Sequence, residues 1–270
     1  MIEIFISSLL GSIILLTFGN IFFNYYFNEN TFSKNFSEQS IIGVVFLSFI
    51  ALIANFFFPL NKIIGSSLFF FALIIFFFKF LKLNSKKKII FYLLNTSIIT
   101  FFLLVLSNVN RPDAGLYHLS YTSLINENKI LIGSTNIHFR FGHISIIQYL
   151  SAVFNNGFLS TSSITVPLAS VFSIFIIYCI EKFYFTFEKN DINFFIIFLI
   201  IIFSFYNFNR YSSYGNDAPS HLYFFILTIF FLNLKNFKNC DPVNFYKIVF
   251  LSIFLFALKV FMAIIFIIPL

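Results

Sequence analysis

Tryptophan is missing from this 270-residue sequence, and charged residues are scarce at 10% of the total. Soluble domains carry about 25% charged residues, so this scarcity excludes an ordinary globular enzyme. Intrinsic disorder is excluded as well, because 59% of the residues are hydrophobic and disordered chains have low hydrophobicity. The two cysteines, Cys179 and Cys240, are too few for a disulfide framework, and neither lies at a metal-ligand spacing.

Long hydrophobic runs are what the sequence does contain. A helix needs about 20 apolar residues to cross the hydrocarbon core of a membrane. Eight runs approach that length: 2–23, 40–60, 62–80, 88–107, 162–180, 192–208, 220–234 and 246–268. We therefore predict an all-α fold, a polytopic transmembrane helix bundle of about eight spans.

The predicted bundle has three regions. An N-terminal four-span region (1–107) is followed by a long outer loop (108–161) and a C-terminal four-span region (162–270). The chain is apolar to its last residue, so we expect it to be truncated, with partner helices missing.

Lysines in short loops predict the orientation, because cytoplasmic loops are enriched in Lys and Arg. Five lysines lie between the third and fourth spans: Lys79, Lys82, Lys86, Lys87 and Lys88. That loop is therefore placed in the cytoplasm, and alternation of the spans places 108–161 and 209–219 outside. The predicted localisation is the cytoplasmic (inner) membrane, with the active face outward.

Arginine and histidine are confined to the two outer loops or their edges: Arg111, Arg140, Arg210, His118, His138, His143 and His221. Lysine is the common cation of this chain, whereas arginine offers a planar fork that binds phosphate or carboxylate through two hydrogen bonds. This distribution indicates an outer surface that handles anions. The alternative is that the longest loops simply collect polar residues.

The outer loop at 108–161 is long enough to be functional or disordered, and its sequence is typical of ordered structure. Asn110 can cap a first helix, and a second amphipathic helix runs from His143. The apolar stripe of the second helix is Ile147, Leu150 and Phe154. We predict two flat juxtamembrane helices with their apolar faces toward the membrane.

Asp113 is the residue that the sequence singles out for catalysis. It is one of only ten acids, and it lies in the first turn of a helix just outside a span. The positive helix end favours the ionised carboxylate, which can act as a general base. Tyr117, four positions on, shares its helix face, whereas His118 lies about 140° around the helix. The alternative is an ordinary helix-start acid that pairs with an arginine.

The second outer loop contains Arg210 and Asp217, which are candidates for substrate or cation contact. The alternative is a turn between two spans, where Gly, Asn, Asp and Pro are expected. Lys259 lies well inside the last predicted span, where a lysine costs roughly 2.5–3.5 kcal/mol on insertion scales. We predict that it faces the bundle interior on the Asp113 side and pairs with an anion, or else snorkels to the outer surface.

Two stretches carry a resemblance to a known family. Residues 111–119 read Arg-Pro-Asp-Ala-Gly-Leu-Tyr-His-Leu, and residues 136–143 read Asn-Ile-His-Phe-Arg-Phe-Gly-His. Together they resemble a group of bacterial polytopic membrane proteins. That group is similar to the C-fold (GT-C) glycosyltransferases, which include protein O-mannosyltransferases and lipid A aminoarabinose transferases.

The resemblance implies a catalytic role for Asp113, and Tyr117 and His118 match the aromatic residue and the histidine that commonly follow such an acid. Those enzymes carry an acidic pair, whereas Ala114 follows Asp113 here, so a divalent metal is not indicated and the cofactor is unknown. The motif also follows four spans in this chain, instead of one.

The activity implied is that of an integral-membrane glycosyltransferase, which moves a sugar from a polyprenyl-phosphate carrier to an envelope glycan, lipid or protein acceptor. Asp113 would deprotonate the acceptor hydroxyl, and the cations would hold the donor phosphate. Seven residues are candidates for substrate binding: Tyr117, His118, Arg140, His143, Arg210, Asp217 and Lys259.

Two alternatives remain open: an envelope-glycan polymerase or ligase, and a non-enzymatic transporter or scaffold for an anionic substrate. The expected partners are the lipid-linked sugar, the acceptor and membrane lipids. Nucleic acid is not expected, because the net charge of +7 comes largely from lysines at the cytoplasmic helix ends.

Overall fold

The computed structural model describes residues 1–27, 35–82, 86–106, 113–143, 145–159, 161–189, 191–208, 214–232, 234 and 242–267. For residues 143, 161–162 and 264–267 the description covers the backbone only. The described residues form helices and turns, without a strand. The predicted helix cap at Asn110 and the predicted site residue Arg210 lie outside the described residues.

Each of the eight predicted spans corresponds to one helix. These are α1 (Ile2–Phe27), α2 (Phe36–Phe57), α3 (Lys62–Leu81), α4 (Lys86–Leu106), α7 (Val166–Glu188), α8 (Asn193–Tyr206), α9 (Asp217–Leu232) and α10 (Pro242–Leu258). Two short helices, α5 (Leu119–Glu127) and α6 (Ile146–Val153), lie between α4 and α7.

Length and composition divide these helices into two groups. Helices α1 to α4 and the segment Ser163–Glu188 are long and apolar enough to cross a membrane, and α8 to α10 are shorter apolar helices. The prediction of an α-helical membrane bundle is confirmed.

The eight helices that correspond to the predicted spans alternate in direction, so the bundle has two distinct ends. At one end, Lys247 near the start of α10 donates to Glu38 near the start of α2, with 2.7 Å between Nζ and Oε1. At the other end, Asn55 near the end of α2 donates to the carbonyl of Asn128, which follows α5. We call these the Glu38 end and the Arg140 end, since Arg140 lies in the connection after α5.

At Gly19 and Gly43, helices α1 and α2 are so close that no side chain larger than a hydrogen atom fits between them. A Cβ atom added to Gly19 would lie 1.7 Å from the carbonyl oxygen of Gln39, and one added to Gly43 would lie 1.8 Å from that of Leu15. Two glycines, one on each helix, therefore make this contact possible.

The connection between α4 and α7 is ordered where it is described. It starts with a π turn (Ala114–His118), in which the N–H of Leu119 donates to the carbonyl of Ala114, and continues directly as α5. Asn126 of α5 donates to the carbonyls of Leu60 and Ala152, so α5 is fastened to the α2–α3 connection and to α6.

Helix α6 differs from the predicted helix in its surroundings. The apolar stripe predicted one buried face and one open face, but all eight residues of α6 are buried. The helix packs against α2, α3, α5, α7 and α10. Two of its polar side chains have hydrogen-bond partners, Gln148 with His118 and Tyr149 with Tyr121.

The last predicted span is interrupted. Helix α10 ends at Leu258, and Lys259 is followed by a 3₁₀ stretch (Val260–Ile267) instead of further α-helix. The prediction that Lys259 lies inside a continuous span is therefore wrong. The break places the lysine at the Arg140 end of the bundle, where an acidic partner is in reach.

Candidate functional site

Arg140 joins the two stretches that the sequence singles out in the connection between α4 and α7. Its Nη1 donates to Oδ1 of Asp113 over 2.7 Å, and its guanidinium carbon lies 5.0 Å from the centre of the Tyr117 ring. Asp113 immediately precedes the π turn and Tyr117 lies within it, and Arg140 contacts both. Because the side chains of Asp113 and Arg140 are 50% and 40% exposed, this pair remains open to a ligand.

Beside Arg140 lies a cleft of about 740 Å³. Its described lining comes from four chain segments and consists of Tyr117, Phe139, Arg140, Asn216, Asp217, Leu258, Lys259, Val260 and Phe261. Nζ of Lys259 donates to Oδ1 of Asp217 within this cleft and also lies 4.6 Å from the centre of the Phe261 ring. The helix break after Leu258 is what brings the Lys259 amine into the cleft.

The charges in and beside the cleft form two ion pairs, Arg140 with Asp113 and Lys259 with Asp217. A cation fixed among aromatic rings in a partly enclosed space can bind phosphate, because phosphate accepts several charge-assisted hydrogen bonds. A carboxylate that is reachable from solvent can accept a proton from a hydroxyl group. The arrangement therefore combines an anion-binding surface with a potential base.

His118 lies behind this surface and is buried, with 3% of its area exposed. Its Nδ1 lies 3.0 Å from Nε2 of Gln148, whose Oε1 accepts from the backbone N–H of Ser145. Because Oε1 is committed to Ser145, Nε2 of Gln148 is the donor and Nδ1 of His118 the acceptor. The proton of the neutral imidazole is therefore on Nε2, on the side of Gly215.

Burial lowers the pKa of His118 to about 4, against the raising influence of the nearby Asp113 and Asp217. The imidazole is therefore neutral at physiological pH. Tyr117 has its phenol pKa raised, first by burial and then by the charge of Asp113. Neither group is charged at neutral pH, so the charge of the site comes from the acids, Arg140 and Lys259.

The structure brings together four of the predicted site residues as cleft lining: Tyr117, Arg140, Asp217 and Lys259. Asp113 adjoins the cleft through Arg140. His118 supports the site from behind, through Gln148. Arg210 and the side chain of His143 lie outside the described residues.

Three contributing residues could not be identified from the sequence. Gln148 fixes the His118 tautomer, but on sequence it is one polar residue in an amphipathic helix. Phe139 and Phe261 flank the two cations, 5.7 Å from Arg140 and 4.6 Å from Lys259. In a chain with 48 phenylalanines, no sequence signal separates these two from the rest.

A metal site is not evident in the described part of the chain. There, no three His, Cys, Asp or Glu side chains are grouped closely enough to hold a metal ion. Asp113 and Asp217 each contact a cation of the protein.

Comparison with known proteins gives a family and no function. The model of the family described as Domain of unknown function (DUF8201) matches residues 1–270. No curated protein matches the chain, and no solved structure does.

Proposed function

The chain belongs to the DUF8201 family, and we propose from its own geometry that it is an integral-membrane glycosyltransferase that uses a polyprenyl-phosphate sugar. The observation that carries the proposal is the pairing of Asp113 with Arg140 at the rim of a cleft that also holds Lys259. This arrangement offers a base and two phosphate-binding cations at one end of a membrane bundle. The acceptor is an envelope glycan, lipid or protein.

In the proposed reaction, the acceptor hydroxyl loses its proton to Asp113 and its oxygen bonds to the anomeric carbon. The bond between that carbon and the phosphate oxygen breaks, and the carrier phosphate leaves with an added negative charge. Arg140 and Lys259 stabilise this charge from fixed positions, which lowers the barrier because no reorganisation is needed as the charge develops. Attack opposite the leaving phosphate inverts the anomeric configuration.

The proposed orientation puts the Arg140 end outside the cytoplasmic membrane. The Glu38 end carries lysines at the ends or starts of four described helices: Lys79, Lys82, Lys86, Lys87, Lys88, Lys182, Lys189 and Lys247. An excess of lysine on one side supports a cytoplasmic position for that side.

The experiment is complementation of a deletion strain. We expect the strain to accumulate one glycosylated carrier lipid, detected by mass spectrometry, and wild-type protein to clear it. Asp113→Asn should fail to clear it, because loss of a general base costs about 10²–10⁴ in rate. Glu127→Gln changes an exposed acid at the end of α5 and serves as the matched control. Clearance by Asp113→Asn at the wild-type rate would overturn the role of Asp113.

A transporter for an anionic substrate is the second candidate, and one observation favours it. Transporters bind substrates where helices are discontinuous, and the chain leaves the α-helix at Lys259, in the cleft. Reconstituted vesicles separate the two functions. Movement of an intact glycolipid across the bilayer, without a new glycosidic bond, would favour transport over transfer.

A further inference from the structure

The Glu38 end contains a second polar site, at the opposite end of the bundle from the cleft beside Arg140. Two adjoining cavities of about 710 and 400 Å³ share four lining residues, namely Glu38, Tyr178, Lys182 and Phe185. Lys189 adds a cation to the larger cavity and Lys88 adds one to the smaller. The shared residues place Tyr178 and Lys182 where the two cavities meet.

Tyr178 provides the observation that points to a ligand. Its side chain is fully buried, and its hydroxyl has no hydrogen-bond partner among the described residues. A buried hydroxyl without a partner is unfavourable, because it loses its hydrogen bonds to water on folding, and a ligand in an adjoining cavity would restore one. Tyr178 lines both cavities, and the Lys182 amine lies 5.3 Å from the centre of its ring.

Three acids line the two cavities, namely Glu38, Glu181 and Asp191, and each accepts a hydrogen bond from the protein. Oδ1 of Asp191 accepts from the backbone N–H of Asn193. Glu38 is 2.7 Å from the buried Lys247 amine, and the hydroxyl of Ser37 donates to Glu181. Lys182 is 3.6 Å from Glu38, a longer contact than that of Lys247. Lys182 is therefore the lysine whose charge is available to an anion that binds between its amine and Tyr178.

An apolar groove continues from the smaller cavity. It has a volume of about 700 Å³, and the two spaces share Phe36, Lys88 and Glu181. The groove runs along α4 and α7, where Phe91 and Ile180 are 71% and 52% exposed and face the region of the bilayer. A polar cavity that opens into an apolar groove matches a molecule with an anionic head and a hydrocarbon chain.

We propose that the Glu38 end binds an anionic phospholipid, with its phosphate between Tyr178 and Lys182 and one hydrocarbon chain in the groove between α4 and α7. The Tyr178 hydroxyl donates to a phosphate oxygen, and the Lys182 ammonium pairs with the same group. Lys88 lines both the smaller cavity and the groove, so it lies where the site for the phosphate meets the site for the hydrocarbon chain. This site is separate from the Arg140 end and does not depend on the reaction proposed there.

Native mass spectrometry of the purified full-length protein tests the proposal. The protein is delipidated in detergent and titrated with phosphatidylglycerol, and separately with phosphatidylcholine. We expect phosphatidylglycerol to be retained preferentially, and Tyr178→Phe to weaken its binding about tenfold, through loss of one hydrogen bond to a charged group. Lys182→Gln, a second variant that leaves the Tyr178 ring in place, should weaken binding at least as much.

Two matched controls use residues at the same end of the bundle. Tyr184→Phe alters an exposed tyrosine of α7, and Lys82→Gln alters an exposed lysine after α3; neither residue lines the cavities, and neither change should alter binding. Equal retention of both lipids, or equal binding by wild type and both cavity variants, would overturn the proposal. Binding of inorganic phosphate that Tyr178→Phe abolishes, with no lipid retained, would overturn the lipid assignment.

Discussion

Arg140 Nη1 binds Asp113 Oδ1 over 2.7 Å, and the same guanidinium covers the Tyr117 ring. Arg140 and Asp113 are 27 positions apart in the chain, yet Arg140 links the proposed base to Tyr117, an aromatic residue in the lining of the cleft. A half-exposed ion pair contributes about 0–1 kcal/mol to stability. The contact is therefore better explained by the position it gives Asp113 than by the stability it adds.

Arg140→Lys tests this interpretation, because it keeps the charge and removes the planar fork. We expect the transfer rate to fall about tenfold or more, since lysine cannot hold Asp113 and cover Tyr117 at once. The thermal unfolding midpoint in detergent should stay close to that of wild type. Lys129→Gln, in the same connection, is the control and should leave the rate unchanged. Wild-type activity of Arg140→Lys would contradict the role of Arg140 in positioning Asp113.

Lys259 is predicted to bind the donor phosphate. Lys259→Gln removes one of the two cations of the cleft and leaves the Asp217 carboxylate in it. Repulsion between that carboxylate and the phosphate should raise KM for the lipid-linked donor about tenfold, by loss of one charge-assisted contact. Initial rates at varied donor concentration measure this effect.

The control for this change is Lys62→Gln, which alters an exposed lysine at the same end, at the start of α3. Its KM should equal that of wild type. If Lys259→Gln also had the wild-type KM, Lys259 would be a partner of Asp217 alone and would have no part in binding the donor.

His118 predicts a specific pH dependence of stability. Its pKa is about 4 in the folded protein, lowered first by burial, and about 6.5 in an unfolded chain. The unfolded state therefore binds more protons between pH 6.5 and pH 4, and the free energy of unfolding falls as the pH falls through this window. For this group alone the loss between pH 7 and pH 4 is about 3 kcal/mol.

Thermal unfolding of the purified protein between pH 7 and pH 4 measures that loss. His118→Gln removes the titrating group and should flatten the curve in this window, whereas His138→Gln, at a half-buried histidine of the same connection, should retain the wild-type slope. Identical slopes for wild type and His118→Gln would show that burial of His118 does not set the acid sensitivity.

Much of the fold could be predicted from the sequence because it depends on local composition. Each apolar run gave a helix, since a membrane-length segment must satisfy its backbone hydrogen bonds internally. The proximity of Asp113 and Tyr117 could also be predicted, because residues four positions apart lie on the same face of a helix. These features require no knowledge of distant residues.

The remaining features depend on contacts between distant parts of the chain. Glu38 and Lys247 are 209 positions apart, and nothing near either residue identifies the other as its partner. The apolar run at 246–268 has no local signal that the helix ends before Lys259. The partner of Lys259 is Asp217, which lies in a different part of the chain. Likewise, α6 is enclosed on all sides because five other helices surround it, not because its own pattern is apolar throughout.

The contact between α1 and α2 gives a last prediction, about the assembly of the bundle. Gly43→Ala places a methyl group 1.8 Å from the carbonyl oxygen of Leu15, a backbone atom that cannot turn aside as a side chain can. The two helices must separate, and the buried contacts along them are lost, so we expect destabilisation of about 1–3 kcal/mol or more. Gly19→Ala should act similarly, because its methyl group would meet the carbonyl oxygen of Gln39.

Gly115→Ala is the matched control. A Cβ atom there meets nothing within 4 Å, so the unfolding midpoint should stay unchanged. Wild-type stability of Gly43→Ala would mean that α1 and α2 do not pack at this distance.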